Sequence, residues 1–384
     1  MTKRIVLALV GLGVLVPALP AAAATSLSIN ASASQITYGQ IVTLSGTVDP
    51  VVESEVVELV DAATLDVIGS DQTDAAGAYT IDIAPSTNVT VKARALPAES
   101  STIDLAVKPV LTASLTAVRL FGRARITGTI QPPHDGSVHV RLLRGTTVMR
   151  EGDATLTGGA YSIRLPVRKP GTYRAEVTFD DQDHAAVKKL SAERRTPLPY
   201  LKSGSRGIFV LLLERRLRDL RYRHPLPNRS YDHKTGDAVL AFRKVQGMRR
   251  NRVVTRAVWR RLASPRRPKP RTTRPRFHIE VDQTKQVLYV VRRGKIVSII
   301  HASTGGAGVG TTYDGRWRVH RQLAGYSPNR LYYPSYFHGQ RAIHGWPDVP
   351  PTAASHGCVR VPMWTAVWIY DRVDIGDVIR IYHS

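Results

Sequence analysis

The 384-residue chain has one cysteine, Cys358, in the run Ser355-His356-Gly357-Cys358-Val359-Arg360. A single cysteine excludes an intrachain disulfide, and an unpaired thiol is kept either because it is buried or because it reacts. Its neighbours favour reaction. Gly357 lets a substrate approach the backbone closely. Amides near Cys358 can form an oxyanion hole, and the charge of Arg360 lowers a thiol pKa. Upstream, Ala342-Ile343-His344-Gly345 reads as an apolar strand that delivers His344. A Cys–His pair is the minimum for thiol nucleophilic catalysis, since only the thiolate attacks. Two alternatives stay open: an inert buried cysteine, and a zinc site drawn from His338, His344, His356 and Cys358, whose spacing fits no common ligand pattern.

The elements that must position these groups are mostly strands. Phe277 to Val281, Gln286 to Val291, Lys295 to Ser303, Arg316 to Val319 and Asp377 to Tyr382 have strand character, with Arg292-Arg293-Gly294 as a turn. Trp364 to Arg372 reads as a short amphipathic helix.

Ile343-His344-Gly345 followed by Ser355-His356-Gly357-Cys358-Val359-Arg360 resembles the signature of the L,D-transpeptidase catalytic domain, over about Arg276 to Tyr382. Ile279-Glu280-Val281-Asp282, Leu288-Tyr289-Val290, Ser303-Thr304-Gly305 and Gly376-Asp377-Val378-Ile379 agree with it. The order His then Cys discriminates, because papain-like and wall-lytic cysteine peptidases place the Cys first. One departure is Thr312-Tyr313-Asp314-Gly315, where the family usually has Thr-Pro-x-Gly.

The resemblance implies a mainly-β catalytic domain with the cysteine and histidine in a central cleft. It implies Cys358 as nucleophile and His344 as base, oriented by the carbonyl of Gly345 or a neighbour. His356 is the second choice for base and shapes the cleft. Backbone amides near Gly357 and Cys358 hold the oxyanion. Ser355, Gly345 and Arg360 fall on the substrate-binding side, with Tyr333, Tyr336 and Phe337 as candidates for the substrate wall. The implied reaction releases D-Ala from a peptidoglycan stem peptide, leaves a thioester on Cys358, and passes the acyl group to a second stem as a 3→3 cross-link. Carbapenems acylate this cysteine in the family. No metal or organic cofactor is implied. L,D-carboxypeptidase activity or D-amino-acid exchange by the same cysteine, and a non-catalytic cell-wall-binding protein, are the alternatives.

The rest of the chain reads as carrier. Lys3-Arg4, an apolar run from Ile5 to Val16 and the small-residue stretch to Ala24 have the layout of a signal peptide over residues 1–24. The expected protein is therefore secreted and wall-associated, with no membrane span after cleavage. Residues 25–108 and 109–191 form an internal repeat. Tyr38-Gly39 recurs as Phe121-Gly122, Ser45-Gly46-Thr47-Val48 as Thr127-Gly128-Thr129-Ile130, and Gly77-Ala78-Tyr79 as Gly159-Ala160-Tyr161, at offsets of 83, 82 and 82. Short alternating strands at this spacing predict two antiparallel sandwiches resembling immunoglobulin-like domains.

A linker, 192–203, leads to a three-helix segment, 204–262, similar to peptidoglycan-binding-like helical domains. The matching residues include Leu213, Leu217, Ala238, Phe242, Thr255, Trp259 and Leu262. A Pro-rich basic linker, 263–275, precedes the catalytic domain, 276–384, and reads as extended and solvated. Formal net charge is +24; residues 25–108 carry −8 and residues 192–276 carry +20. A basic block of this kind faces an anionic partner. For an exported protein that partner is an anionic wall polymer bound through residues 192–276, and not nucleic acid, whose stacking aromatics are scarce there.

Overall fold

The computed structural model describes residues 24–384 of a mostly-β multidomain chain with four helices among the described residues. The expected signal segment, Ala24 apart, lies outside the described residues. Among the described residues no helix is long and apolar enough to cross a membrane.

Each repeat is a pair of sheets around its own core. In the first, a four-stranded sheet centred on Val42–Asp49 and a six-stranded sheet centred on Val56–Asp61 and Val89–Ala95 enclose Leu44, Leu59, Tyr79 and Val91. The second pairs a four-stranded sheet on Arg123–Gln131 with a five-stranded one on Gly136–Arg144 and Thr172–Phe179. Alternation along each strand puts Val42 and Leu44 inside, with Thr43 less buried between them.

The constant offset has a physical cause. Tyr79 pairs across the sheet with Gly46, and Tyr161 with Gly128. Each hydroxyl donates to a backbone carbonyl, Ser28 O at 2.6 Å and Thr112 O at 2.7 Å. A Cβ on Gly46 would stand 2.0 Å from Ser28 O, and on Gly128 2.1 Å from Thr112 O. Only glycine leaves room for this lock.

The helical segment contains α1 (Ile208–Asp219), α2 (His233–Val245) and α3 (Arg256–Ala263). Asp232 caps α2 by accepting from Thr235 N, and Thr255 caps α3 by accepting from Val258 N, at 2.8 and 3.5 Å. The expected linkers are not free spacers. Arg194–Arg195 pairs with Thr172 and Tyr173 of the second repeat, and Leu201 exchanges both backbone hydrogen bonds with Val254. Downstream, Arg266 is bonded on both sides to Gln246, while the amides of Arg271 and Thr272 donate to the buried Glu280 carboxylate. The 263–275 segment is thus a strap pinned to both units.

In the C-terminal domain one sheet runs Lys295–His301, Val287–Arg292, Phe277–Asp282, Val378–Tyr382, Gly315–Arg318. The other runs Arg321–Gln322, Tyr332–His338, Arg341–Trp346, Val359–Pro362, and α4 (Met363–Tyr370) packs on it. Arg292 is the last residue of its strand, so the turn is the pair Arg293-Gly294, both at positive φ as a two-residue hairpin requires.

The run Val287 to Val291 is buried at every position because both faces are covered. Leu288 and Val290 face the second sheet and α4, while Val287, Tyr289 and Val291 join Ile299 in one core with the three helices. Helical segment and catalytic domain therefore form adjoining layers. The helical segment also reaches α4, whose Met363, Trp364, Val367, Trp368 and Tyr370 are only partly buried. Trp364 Nε1 donates to Asp237 of α2 at 3.1 Å, and Arg223 lies 4.3 Å over the Trp368 ring.

A buried polar contact crosses this seam. Lys244 Nζ lies 2.9 Å from Gln286 O, 2.9 Å from Ala302 O and 2.7 Å from His301 Nδ1, while His301 Nε2 lies 2.9 Å from Val349 O. Three carbonyls and one nitrogen–nitrogen contact need four hydrogens, which the pair supplies when it shares one positive charge. Burial opposes that charge, pulling both the ammonium and the imidazole below their ordinary values.

Candidate active site

Cys358 and His344 are carried on neighbouring strands that run parallel. Ile343 pairs with Val359 and His344 with Arg360. Side chains alternate, so Ile343, Val359 and Val361 enter the core beside α4, and His344, Cys358 and Arg360 share the opposite face. Cys358 thus stands two residues before Arg360, the residue opposite His344.

The loop that presents the cysteine is tied from inside. Ser355 is fully buried; its hydroxyl donates to Cys358 O at 2.5 Å and accepts from Gly357 N at 3.1 Å. Thr312 grips the same loop from the other side, donating to Gly357 O at 2.9 Å and accepting from Gly305 N at 2.8 Å. Gly357 adopts φ +114°, and a Cβ there would stand 2.7 Å from both Arg341 Nε and Thr311 O. The Thr-x-x-Gly turn keeps its grip without proline because Thr312 supplies it, and Gln283 fixes the turn through Thr312 O and Asp314 at 2.9 and 2.7 Å.

The electrostatics differ from the expectation for the thiol. Arg360 and Arg341 do pull its pKa down, but burial outweighs them and the net shift is upward. His344 is 2% exposed, and its Nδ1 lies 2.9 Å from Gly345 O. A carbonyl only accepts, so the ring hydrogen is on Nδ1 and Nε2 holds the lone pair. Burial, helped by the charge of Arg360, pushes this imidazole down to about 4. At neutral pH the pair rests as thiol and neutral imidazole. Sγ itself lies 3.9 Å from Gln340 O.

The structure sorts the remaining candidates. Arg360 is clamped, donating to Ala354 O at 3.1 Å with its guanidinium 4.8 Å from the Trp346 ring centre. His356 is exposed at the rim. Four expected substrate contacts are buried in the structure. Ser355 has no free face. Gly345 is buried under α4, where its Cβ position meets Ala366 and Met363. Phe337 is a core residue at 3% exposure. Tyr336 is 2% exposed beneath Arg321. Tyr333 is half-buried between Tyr332 and Tyr370 and packs against the edge of that core. Gly357 N is committed to Ser355, which removes it as an oxyanion donor in this arrangement. His338, His344, His356 and Cys358 do not gather as a ligand cluster among the described residues.

Arg341, Tyr313, Trp317 and His338 group beside the Gly357 loop, and of these the sequence reading singled out only His338. Arg341 donates to Thr311 O at 2.8 Å and lies 4.5 Å over the Tyr313 ring, and His338 stacks 4.0 Å from Trp317. The one signal for Arg341 is its place at the start of the strand that carries His344.

Residues 276–381 match the family profile described as L,D-transpeptidase catalytic domain. The chain is similar to the solved L,D-transpeptidase of Xylanimonas cellulosilytica at 34% identity, over 49% of this chain and 100% of that one, with a TM-score of 0.47. An L,D-transpeptidase of Stackebrandtia nassauensis is 24% identical over 48% of this chain and 95% of its own, TM-score 0.32. One of Mycobacterium tuberculosis is 12% identical over 70% and 98%, TM-score 0.27. No curated protein sequence matches the chain.

Proposed function

Because residues 276–381 belong to the L,D-transpeptidase catalytic-domain family, we propose that this chain is a secreted enzyme that cross-links peptidoglycan stems through a thioester on Cys358. The observation that carries the reading is the parallel pairing that sets Cys358 and His344 on one face, with Gly345 O fixing the tautomer that leaves Nε2 basic.

His344 Nε2 takes the Cys358 proton as sulfur attacks the carbonyl before the terminal D-Ala of a tetrapeptide stem. Starting from a neutral pair, proton transfer and attack are coupled. The Cys358 amide, next after the occupied Gly357 amide, is the oxyanion donor we assign. The imidazolium returns its proton to the departing D-Ala nitrogen, leaving the thioester. The side-chain amine of a second stem's diamino acid then attacks, loses a proton to His344 and releases the thiol as a 3→3 cross-link. Arg341 and Arg360 flank the sulfur with positive charge suited to stem carboxylates. The rim of Tyr313, Trp317 and His338 limits access of water, which would otherwise complete the reaction as hydrolysis.

The remaining parts suit a tethered enzyme. The two repeats are read as immunoglobulin-like spacers. A groove of about 900 Å³ between the second repeat and α1 is lined by Arg119, Arg123, Arg125, Arg164, Arg168 and Arg215. It extends the anion-binding role expected of residues 192–276 to the neighbouring repeat.

The test is incubation with a tetrapeptide-stem muropeptide and mass analysis of products. Dimers joined between third residues, with free D-Ala, support the proposal. Tripeptide without dimer would mean hydrolysis, and unchanged substrate would reject both.

A further inference from the structure

The second repeat holds three side chains that this chemistry does not use. His134 follows the Arg123–Gln131 strand, and Asp181 and His184 lie between the Thr172–Phe179 and Val187–Leu190 strands. Each offers a ligand atom, and these atoms all lie within 4.8 Å of one another. His184 Nδ1 lies 3.1 and 3.0 Å from the two Asp181 oxygens. His134 Nδ1 lies 2.8 Å from Asp135 O, which only accepts, so the hydrogen of that ring is on Nδ1. In neutral His134 the Nε2 lone pair then stands 3.7 Å from Asp181 Oδ2. Two acceptors thus face each other.

Nε2 of His134 is buried and without a hydrogen-bond partner among the described residues, and His184, which turns Nδ1 to Asp181, is only 6% exposed. Folded proteins leave few such atoms unpaired. Phe179 closes the site, with ring centres 4.9 Å from His134 and 6.0 Å from His184. That apolar wall raises the cost of leaving the His134 nitrogen unpaired.

We propose that His134, His184 and Asp181 bind one divalent transition-metal ion, zinc foremost. Two imidazoles and a carboxylate suit zinc and its neighbours, whereas calcium and magnesium take oxygen ligands. Tetrahedral zinc with bonds of about 2.0–2.2 Å sets its ligand atoms roughly 3.3–3.5 Å apart. The observed 3.0 and 3.7 Å separations around Asp181 Oδ2 bracket that range. Water takes the fourth position. The ion has a structural consequence. Asn88 N donates to Asp183 O at 2.8 Å and Ala185 N to Val107 O at 2.9 Å, so the metal-bearing loop also joins the two repeats. Occupancy stiffens that joint.

The experiment is calorimetric titration of zinc chloride into the untagged protein, with cobalt as a spectroscopic substitute. We expect one equivalent bound, more than about tenfold weaker in His134→Gln and in Asp181→Asn and unchanged in Cys358→Ser. Cobalt should give the visible bands of a tetrahedral nitrogen–oxygen site. No zinc uptake by the unmodified protein overturns the proposal, as does uptake that both histidine and aspartate variants leave unchanged. A thiolate-to-cobalt charge-transfer band would place the metal on Cys358 instead. The cobalt spectrum needs no variant, so it decides the donor set even where a substitution prevents folding.

Discussion

At the residue scale the account depends on one tautomer and two opposed pKa shifts. With His344 held down at about 4 against an ordinary 6.5, the base remains neutral to lower pH than a free imidazole. The acid limb of kcat/KM is therefore expected near pH 4, not near 6.5, in a pH–rate profile. The same shift has a stability sign. Between 6.5 and 4 the unfolded chain binds a proton at this position that the native one refuses, so stability falls as pH falls through that window. Replacing His344 with Gln should lower kcat about 10²–10⁴-fold, the usual size of a general-base contribution, and should remove the pH limb with it. Cys358, His344 and Arg360 were legible from residue type and spacing. The net upward shift of the thiol was not, because burial is a property of the packed loop and not of the neighbouring arginine.

At the element scale, strands position Cys358 and a buried serine holds its loop. Ser355→Ala removes the partner of Gly357 N and of Cys358 O, which should cost about 1–3 kcal/mol of stability by denaturant titration. It should lower kcat more than it raises KM, since Ser355 has no face toward substrate. The lost hydroxyl was misread as a substrate contact because sequence position beside Cys358 says nothing of direction. The burial of Phe337 and Tyr336 was hidden for a related reason. Aromatics near a histidine look alike whether the strand turns them inward or outward, and Pro334 together with the positive φ of Tyr333 obscured that strand's alternation. Three helices fall, to within one residue, inside the segment read as helical, and α4 lies within two residues of the helix expected at Trp364 to Arg372.

At the scale of the whole molecule the main departure from the sequence reading is the seam between helices and catalytic domain. A Pro-rich, charged segment reads as a spacer, yet Val287, Tyr289, Val291 and Ile299 belong to the helical core. Exposing four such side chains costs about 1.5–3 kcal/mol each, a sum comparable to the stability of an ordinary domain. A fragment starting at residue 276 should therefore unfold or aggregate where one starting near 201 gives a cooperative melt. Lys244→Ala strands His301 and two carbonyls in the same seam and should lower the melting temperature of the longer fragment. Neither contact could be read from sequence, since each joins residues some 40 to 60 positions apart that share no motif.

The most direct measurement is intact-mass spectrometry of the whole protein after incubation with a carbapenem. The account predicts a single covalent adduct that maps to Cys358, forms far more slowly in His344→Gln, and is absent in Cys358→Ala, which remains folded. An unmodified mass in the folded protein, or an adduct that persists in Cys358→Ala, would contradict it.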